Sequence, residues 1–565
     1  MEVCSKIYAV YDTTGIQSYV FASGKLRENV GASVLVGRVL KCYLPEALEK
    51  ELGKENVVVD WRSEERRSKA LEDDKAAEII YVGGGNAYVA FKDIDAYRRA
   101  TRKFLLMVYD SAPGIGIASA YIESNFEDGY EKEHKKLMKR LSEAKGRINR
   151  PMSAGSQPIT RSSLLTGQPV TRIDNVSNEP ISEEQYHKRL ARNSAPDGNK
   201  FEDFDSLTRG NNNFLAVVHV DGNRMGKYIE EYFARNDDSP EDDNWSNIVP
   251  KIRKMSYRIS KLYETAYREA RKDFCNFYRE TDFCKDEPDK ELPLIRLIGD
   301  GDDITCVLTG RWGISFAVKL LQKIETYNND GNELYPFETW CKIKAWQGRP
   351  KPPRISACAG VVIFHSHYPF SAAYKMAEEC CRNAKSFTRN TEATKGAVGS
   401  FIDFHLHQSG AIVELKSFRD AHYSSIIGGK TGKSLMRRPF CVTDECVFIS
   451  NYPMFNDLED LTLNWAKGRD ETKRDDVKLW PRSRLKALLA AISAHDSENS
   501  VEEVLKWCEA RGYELPVKFD FRKYEPKLLP GEEDAKREVP HKFSWLLDTL
   551  DMADIYEKIN DAEAV

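Results

Sequence analysis

Residues 294–308 read LIRLIGDGDDITCVL, in which two apolar runs enclose the acidic segment Gly299-Asp300-Gly301-Asp302-Asp303. Both runs have the composition of strands, and Asp-Gly favours a two-residue hairpin turn because the central residues of that turn need positive φ. The segment therefore predicts a β-hairpin with three carboxylates at its tip. Two such charges about 4 Å apart repel by roughly 4 kcal/mol at an effective dielectric near 20, and a bound divalent cation removes that repulsion. A solvated turn is the alternative, since Asp and Gly are ordinary turn residues.

A second carboxylate follows another apolar run. Residues 214–220 read FLAVVHV and are followed by Asp221-Gly222-Asn223. Such a run predicts a strand that is covered on both faces, and ligands of α/β sheets gather at strand ends, so we expect Asp221 to meet the hairpin. Mg²⁺ takes one or two protein carboxylates and completes its shell with water and substrate phosphates, which indicates a nucleotide substrate. A helix N-cap is the alternative role of Asp221.

The order of elements resembles a known class of catalytic domain. A strand ending in an aspartate, a helix, an acidic hairpin, a helix, a strand and a helix occur in the palm domains of polymerases, diguanylate cyclases and class III nucleotide cyclases. Residues 211–400 resemble the catalytic palm of the CRISPR polymerase, the large subunit of type III effector complexes, whose hallmark is a Gly-Gly-Asp-Asp hairpin. This chain has Asp300-Gly301-Asp302-Asp303 there, and Ile298-Gly299-Asp300 resembles the class III cyclase motif instead.

The resemblance implies roles for particular residues. It makes Asp221, Asp302 and Asp303 the catalytic acids, which hold two Mg²⁺ or Mn²⁺ ions. Among the hairpin acids we favour Asp302 as the principal metal ligand, then Asp303, then Asp300. Lys385 follows Ala384 near the end of a predicted helix, as does the lysine that touches substrate phosphate in diguanylate cyclases; a contribution to the helix dipole is the alternative. The resemblance further implies nucleotide contacts at Gly15, Gly83, Gly84, Gly85, Asn86, Gly222, Asn223, Gly301 and Lys385.

The N-terminal part of the chain repeats the pattern. Residues 9–15, AVYDTTG, align without gaps with residues 216–222, AVVHVDG, and residues 81–87, YVGGGNA, align with residues 297–303, LIGDGDD. In this alignment the first copy has lost the acids. The replacements are Thr14 for Asp221, and Gly84, Asn86 and Ala87 for the three hairpin aspartates.

A second motif supports the same family. Residues 12–17, DTTGIQ, resemble the segment that opens the first palm of the CRISPR polymerase. The resemblance implies a degenerate palm that faces an active one, with two nucleoside triphosphates in the cleft between them. One nucleotide lies near the acids and the other lies against the glycine-rich hairpin, where Gly83, Gly84 and Gly85 let the backbone approach closely. A merely flexible hairpin is the alternative reading of these glycines.

The predicted fold class is α+β: two ferredoxin-like palm domains of the nucleotidyl cyclase (GGDEF-like) type in tandem, followed by a C-terminal helical domain. Because the first palm begins within ten residues of Met1, we expect no HD nuclease domain ahead of it. Helical patterns at 485–492, 501–508 and 543–559 indicate the last domain. The predicted ranges are 1–150 for the first, degenerate palm, 151–210 for a poorly ordered connector without zinc ligands, 211–400 for the catalytic palm and 401–565 for the helical domain.

Composition limits the remaining possibilities. The 565 residues have a formal net charge of −4, which argues against a dedicated nucleic-acid binder. No apolar run approaches the roughly 20 residues that a membrane span needs, so we expect a cytoplasmic protein without membrane contact. Twelve cysteines without paired Cys-x-x-Cys motifs predict no zinc site.

Two functions remain, and the acids separate them. The first is a palm nucleotidyltransferase that converts ATP, with a divalent metal, into a cyclic oligonucleotide-type second messenger in antiviral, CRISPR-type defence, with effector subunits and activating RNA as partners. The second is a catalytically silent palm scaffold that binds RNA or partner subunits in a CRISPR effector complex. Retention of acids in one palm and their loss in the other favours the enzyme.

Overall fold

A computed structural model gives the fold of the chain. It describes residues 5–62, 75–126, 129–147, 160–195, 201–210, 213–233, 244–286, 291–328, 331–337, 353–390, 399–427, 430–434, 436–443, 454–466 and 544–560, with short pieces between 483 and 512. No helix in this described part is long and apolar enough to cross a membrane.

The first sheet is built around a strand that is almost wholly buried. Its strands are β1 (Lys6–Thr14), β2 (Val57–Val58), β3 (Ala77–Gly83), β4 (Asn86–Phe91) and β5 (Gly116–Ser124). Its helices are α1 (Ile16–Val20), α2 (Leu26–Arg38), α3 (Leu44–Leu52), α4 (Ile94–Ser111) and α5 (Tyr130–Arg147). The strand order is β2-β3-β4-β1-β5, and β1 is antiparallel to both of its neighbours. A π-helical turn, Val39–Tyr43, joins α2 to α3, and a 3₁₀ turn, Lys54–Asn56, precedes β2.

A folded module follows the first sheet. It contains β6 (Arg172–Ile173), β7 (Pro180–Ile181) and α6 (Glu183–Arg192), and a 3₁₀ turn, Asp205–Leu207, comes after it. Ser182 and Gln185 form a capping box at the start of α6. Arg189 joins the helix to the buried Glu28 of α2 through an ion pair of 2.7 Å. The predicted poor order of the connector is therefore wrong for residues 160–195, because its polar residues form caps and ion pairs rather than solvated loops.

The second sheet begins with the Asp221 strand. Its elements as far as residue 390 are β8 (Phe214–Gly222), α7 (Met225–Phe233), α8 (Trp245–Glu280), α9 (Asp282–Asp286), β9 (Leu294–Asp300), β10 (Asp303–Thr309), a 3₁₀ turn (Gly310–Trp312), α10 (Gly313–Glu325), β11 (Ala357–His365) and α11 (Phe370–Asn390). The later elements are β12 (Phe401–His407), α12 (Leu415–His422), β13 (Ser424–Ile427), β14 (Lys430–Ser434), β15 (Phe440–Cys441), α13 (Phe455–Asp460), a π-helical turn (Leu461–Ala466) and α14 (Ser544–Ala553). The strand order is β15-β12-β11-β8-β10-β9.

The two sheets share one topology. The order β3-β4-β1-β5 in the first sheet corresponds to β9-β10-β8-β11 in the second. Along the chain, helices connect β1 to β3 and β4 to β5 in the first sheet, and β8 to β9 and β10 to β11 in the second. This is the split β-α-β arrangement of ferredoxin-like folds. The predicted α+β class is thus confirmed, and the same arrangement of strands and helices occurs twice.

The long helix α8 contacts both sheets. At its beginning, Trp245 and Ile252 pack in the core of the first sheet, whereas Tyr263 and Phe274 further along pack in the core of the second. Between them, Arg253 donates to the carbonyl of Ile80 and to Glu78 on β3. The helix therefore holds the two sheets in a fixed relation along one wall of the space between them.

The C-terminal part differs in detail from the prediction. Strands β12 and β15 extend the second sheet although they lie beyond residue 400. The helical pattern at 543–559 corresponds to α14, which buries Leu547 and Met552. The patterns at 485–492 and 501–508 lie mostly outside the described residues. The division of the chain into four domains remains a prediction.

Candidate functional site

The acidic hairpin forms as the sequence predicts, with its turn one residue later. Strand β9 ends at Asp300 and β10 begins at Asp303, so the turn consists of Gly301 and Asp302, with φ of +63° at the glycine. Asp303 lies directly opposite Asp221 across the β8–β10 pair. The glycine supplies the left-handed conformation that the turn requires.

Asp221 and Asp302 line one pocket of about 540 Å³. Lys385 and the loop that connects β8 to α7 complete this acidic pocket; the loop contributes Gly222, Asn223, Arg224 and the start of the helix. Asp303 is not part of the lining: its Oδ1 lies 3.5 Å from Nδ1 of His219. The side chain of Asp300 lies outside the described part of the structure. The sequence favours Asp302 over Asp303 as the principal metal ligand. Of these two side chains, Asp302 is the one that lines the pocket.

Lys385 contacts the acid that ends β8. Its ammonium group, on α11, forms an ion pair with Asp221 and donates to the carbonyl of Gly222 at 2.8 Å. The side chain of Asp221 is 38% exposed, so the pair opens into the pocket rather than into the core. Lys385 can therefore exchange its carboxylate partner for a phosphate without leaving the site.

The loop after Asp221 is tightly constrained. A Cβ at Gly222 would lie 2.6 Å from Oδ2 of Asp302 and 2.7 Å from the hydroxyl of Tyr263, so a larger residue there would displace these side chains. Asn223 is buried and donates its side-chain amide to the Ser356 hydroxyl at 3.0 Å. Asn223 is therefore suited to hold the loop in place, although the sequence predicts it as a nucleotide contact.

A second cavity, of about 940 Å³, lies between the two sheets, and we call it the cleft. Both hairpin tips reach it. A Cβ at Gly301 would lie 3.8 Å from the backbone nitrogen of Gly84, so backbone faces backbone across the cleft. The predicted contacts that line the cleft are Gly83, Gly84, Asn86, Gly301 and Asp302. Gly15 and Gly85 are absent from the linings of both cavities.

The cleft is lined by aromatic, aliphatic and charged side chains. Tyr81 and Tyr88 stack with ring centroids 4.6 Å apart, and His134 lies beside Tyr88. Burial lowers the pKa of His134 to about 4, so the imidazole is neutral at pH 7. The lining further includes the aliphatic side chains of Met225, Ile229, Ile252, Met255 and Ile259, and charged side chains such as Lys135, Lys261 and Glu264. The apolar part of this lining suits a flat, apolar ring.

The strand register corrects the alignment of the two halves. Asn86 lies opposite Asp12 in the first sheet, as Asp303 lies opposite Asp221 in the second. Asp12, and not Thr14, therefore occupies the position of Asp221. The hairpin alignment moves by one residue, so that Gly83, Gly84, Gly85 and Asn86 correspond to Asp300, Gly301, Asp302 and Asp303. The gapless comparison of sequence letters matched the small residues of the loop and missed the pairing.

Two further features support this register. Gly15 and Arg224, each just before the helix that follows the strand, both have left-handed φ, +66° and +57°. Lys145 forms an ion pair of 2.8 Å with Asp12, as Lys385 does with Asp221. The first half therefore keeps the strand acid and its lysine but has no hairpin aspartate. The parallel between Ala144-Lys145 and Ala384-Lys385 was visible in the sequence and could have revealed the correct alignment.

The donor set suits a hard divalent cation. Among the described residues no group of three or more His, Cys, Asp or Glu side chains is spaced to hold a metal ion. Asp221 and Asp302 nevertheless line the same pocket, and Mg²⁺ commonly uses one or two carboxylates and completes its shell with water and phosphate oxygens. The fit therefore depends on these two residues, with water or phosphate oxygens completing the shell of the ion.

Comparison with known proteins agrees with the fold. Sequence comparison finds no match among protein-family models or among curated proteins. Comparison of structures finds a Csm1-Csm4 cassette in complex with pppApApA, at 13% identity over 98% of this chain and 69% of that chain, with a TM-score of 0.50. The cassette in complex with cA4 matches at 13% identity over 97% and 70%, with a TM-score of 0.49. A Csm1-Csm4 subcomplex of the type III-A CRISPR-Csm interference complex matches at 14% identity over 97% and 70%, with a TM-score of 0.48.

Fold and site together define an α+β protein in which two sheets of the same topology lie on either side of a cleft of ligand size. The chain has the fold of Csm1, the large subunit of type III-A CRISPR-Csm complexes. The resemblance to the CRISPR polymerase that the sequence indicates is thus confirmed at the level of the fold.

Proposed function

We propose that the chain is a metal-dependent nucleotidyltransferase that converts ATP into a cyclic oligonucleotide-type second messenger. The observation that carries this proposal is the shared pocket of Asp221 and Asp302, with Lys385 at its side and the cleft beside it. The fold neighbour with a TM-score of 0.50 contains pppApApA, an oligoadenylate with a 5′-triphosphate. A pocket that joins carboxylates, a lysine and a helix start is suited to such a triphosphate.

The roles of the residues follow from their positions. Asp221 and Asp302 would hold the divalent ions, Mg²⁺ or Mn²⁺. When bound, two such ions neutralise charge on the triphosphate and lower the pKa of the attacking ribose hydroxyl. Lys385 leaves Asp221 for a phosphate oxygen, and the first backbone N–H groups of α7 donate to the same triphosphate.

The cleft positions the second nucleotide. The hairpin tip at Gly83 and Gly84 lets the acceptor approach the backbone, and the stacked Tyr81 and Tyr88 offer a surface for its base. A ribose hydroxyl of the acceptor attacks the α-phosphate of the donor, pyrophosphate leaves, and the hydroxyl proton passes to water. Holding both nucleotides in one cleft makes this step effectively unimolecular.

We also propose that the chain acts within a CRISPR-type effector assembly in antiviral defence, with RNA as the activator. The support is the fold neighbour, which is itself part of a Csm1-Csm4 cassette. A catalytically silent scaffold that binds RNA or partner subunits is the alternative, and the same experiment separates the two.

The test is incubation of the full chain with labelled ATP and Mg²⁺ or Mn²⁺, with and without RNA, followed by chromatography of the products. We expect a product that depends on metal and is abolished in Asp221→Asn and in Asp302→Asn. Asp303→Asn should lower the rate less, because Asp303 does not line the pocket. Asp12→Asn is the matched control, since Asp12 lies in the first sheet and lines neither cavity.

The outcomes separate the hypotheses. Metal-dependent product in the wild type, lost in the two pocket variants, supports the enzyme. If the wild type gives no product in any arm and the pocket variants bind ATP as it does, the enzyme proposal fails. RNA binding under those conditions would then favour the scaffold.

A further inference from the structure

Tyr263 places a hydroxyl group at the acidic pocket from the interior of the protein. The residue lies on α8, its side chain is 1% exposed, and its ring belongs to the core of the second sheet. The hydroxyl lies 2.7 Å from the point that a Cβ on Gly222 would occupy, and Oδ2 of Asp302 lies 2.6 Å from the same point. Tyr263 and Asp302 therefore flank Gly222 together.

The hydroxyl has no hydrogen-bond partner among the described residues. A buried polar group left in that state lowers stability, and a phenylalanine would fill the same space without this penalty. A hydrogen-bond acceptor that becomes available when the pocket holds its ligands would account for the presence of the hydroxyl. The neighbouring carboxylate is an acceptor that could turn toward it.

The chemistry of the group fits a donor. A tyrosine phenol has an ordinary pKa of about 10 and carries its proton at neutral pH. A neutral phenol next to a carboxylate donates a hydrogen bond, and such a bond fixes which carboxylate oxygen faces a cation.

We propose that Tyr263 is a positioning residue for Asp302: its hydroxyl donates to one carboxylate oxygen when the other oxygen holds a divalent cation. The inference rests on the proposed function, because it requires Asp302 to be a metal ligand. Gly222 is what makes the approach possible, since any side chain there would separate the two groups. The residue acts through Asp302 and does not itself touch the nucleotide.

The experiment measures Mn²⁺ binding to the full chain by electron paramagnetic resonance, with Mn²⁺ as the only ligand. We expect Tyr263→Phe to weaken the affinity about 10–100-fold, the usual effect of removing an outer hydrogen bond to a metal ligand. The melting temperature should stay equal or rise, because the variant removes a buried hydroxyl without a partner. Tyr267→Phe is the matched control: Tyr267 lies one helical turn away, is equally buried, and has its ring beneath the guanidinium of Arg296.

A double variant tests the connection to Asp302. If Tyr263 acts through this carboxylate, Tyr263→Phe in an Asp302→Asn background causes no further loss of Mn²⁺ affinity. Equal affinity of wild type and Tyr263→Phe, or an equal loss in Tyr267→Phe, overturns the inference while the metal site itself stands. If the wild type has no Mn²⁺ site, or has only a site that Asp302→Asn does not remove, the proposed function fails, and the inference fails with it.

Discussion

Arg253 donates to Glu78 at 2.6 Å, in the buried contact between the long helix α8 and strand β3 of the first sheet. Both side chains are less than a tenth exposed, and Arg253 also donates to the carbonyl of Ile80 at 2.7 Å. Because α8 continues into the core of the second sheet, this contact sets the distance between the hairpin tips. The width of the cleft therefore depends on a pair of residues that does not line it.

Removing one member of this pair should destabilise the protein. Arg253→Met removes the guanidinium that pairs with the buried Glu78 carboxylate, and we expect the free energy of unfolding to fall by about 3–5 kcal/mol. The measurement is urea unfolding followed by circular dichroism. Replacing both residues, with Arg253→Met and Glu78→Gln, should recover part of the loss. An undiminished midpoint in the single variant would show that the pair is dispensable.

Gly83 should resist substitution for a reason that Gly84 does not share. A Cβ at Gly83 would lie 2.7 Å from the hydroxyl oxygen of Ser256, whereas nothing lies within 4 Å of a Cβ at Gly84, whose φ is +59°. We expect Gly83→Ala to destabilise by about 1–3 kcal/mol through overpacking. Gly84→Ala should cost about 1–2 kcal/mol through backbone strain alone.

Ser256→Ala distinguishes the two causes. It removes the oxygen that the new methyl group meets, so it should restore the stability of Gly83→Ala and leave that of Gly84→Ala unchanged. Thermal unfolding of the wild type, Gly83→Ala, Ser256→Ala and the variant with both changes forms a double-mutant cycle. Independent effects of Gly83→Ala and Ser256→Ala would contradict the packing argument.

The two strand-acid and lysine pairs should respond differently to loss of the lysine. The side chain of Asp12 is 10% exposed and that of Asp221 is 38% exposed. Lys145→Met therefore leaves a mostly buried carboxylate and should lower the free energy of unfolding by about 1–2 kcal/mol. Lys385→Met should change it by less than about 1 kcal/mol and should weaken ATP binding instead. Calorimetric titration with ATP and Mg²⁺, beside thermal unfolding, measures both; equal effects of the two variants on ATP binding would count against the assignment of Lys385.

Much of the fold could be predicted from the sequence because neighbouring residues mark where the hairpin and the strand before Asp221 begin and end. The apolar runs that flank Asp302 permit little except a hairpin, and the repeat at Gly83 to Asn86 supplied the second unit. The connector was wrongly expected to be poorly ordered because it is rich in Ser, Pro, Gly, Asn and Asp. The capping box of Ser182 and Gln185 is local, but the contacts of Gln185 and Arg189 with Glu28 depend on α2, which lies about 150 residues earlier in the chain, and no local pattern reveals them.

The site was predictable to the extent that its residues lie in the hairpin and its partner strand. Asp221, Asp302 and Lys385 meet as the sequence indicated. Tyr263 was not foreseen, because it lies in a helix whose apolar periodicity explains it equally well as a core residue. The position of Asp12 was missed for a different reason: letters were matched across a loop, whereas strand register fixes which residues correspond.

His134 should make stability depend on pH. The ring accepts or donates hydrogen bonds with the hydroxyls of Tyr8 and Tyr130, at 3.3 and 3.1 Å, and burial lowers its pKa from 6.5 to about 4. At pH values between these two pKa values, the imidazole binds a proton in the unfolded chain but not in the folded chain. Stability from this residue is therefore complete above pH 6.5 and is lost progressively as the pH falls towards 4. We expect urea midpoints of the wild type to fall over this range, and the difference in stability between wild type and His134→Gln to shrink with them. A difference that is constant from pH 7.5 to 4.5 would show that the imidazole takes up its proton equally well in the folded and unfolded chains.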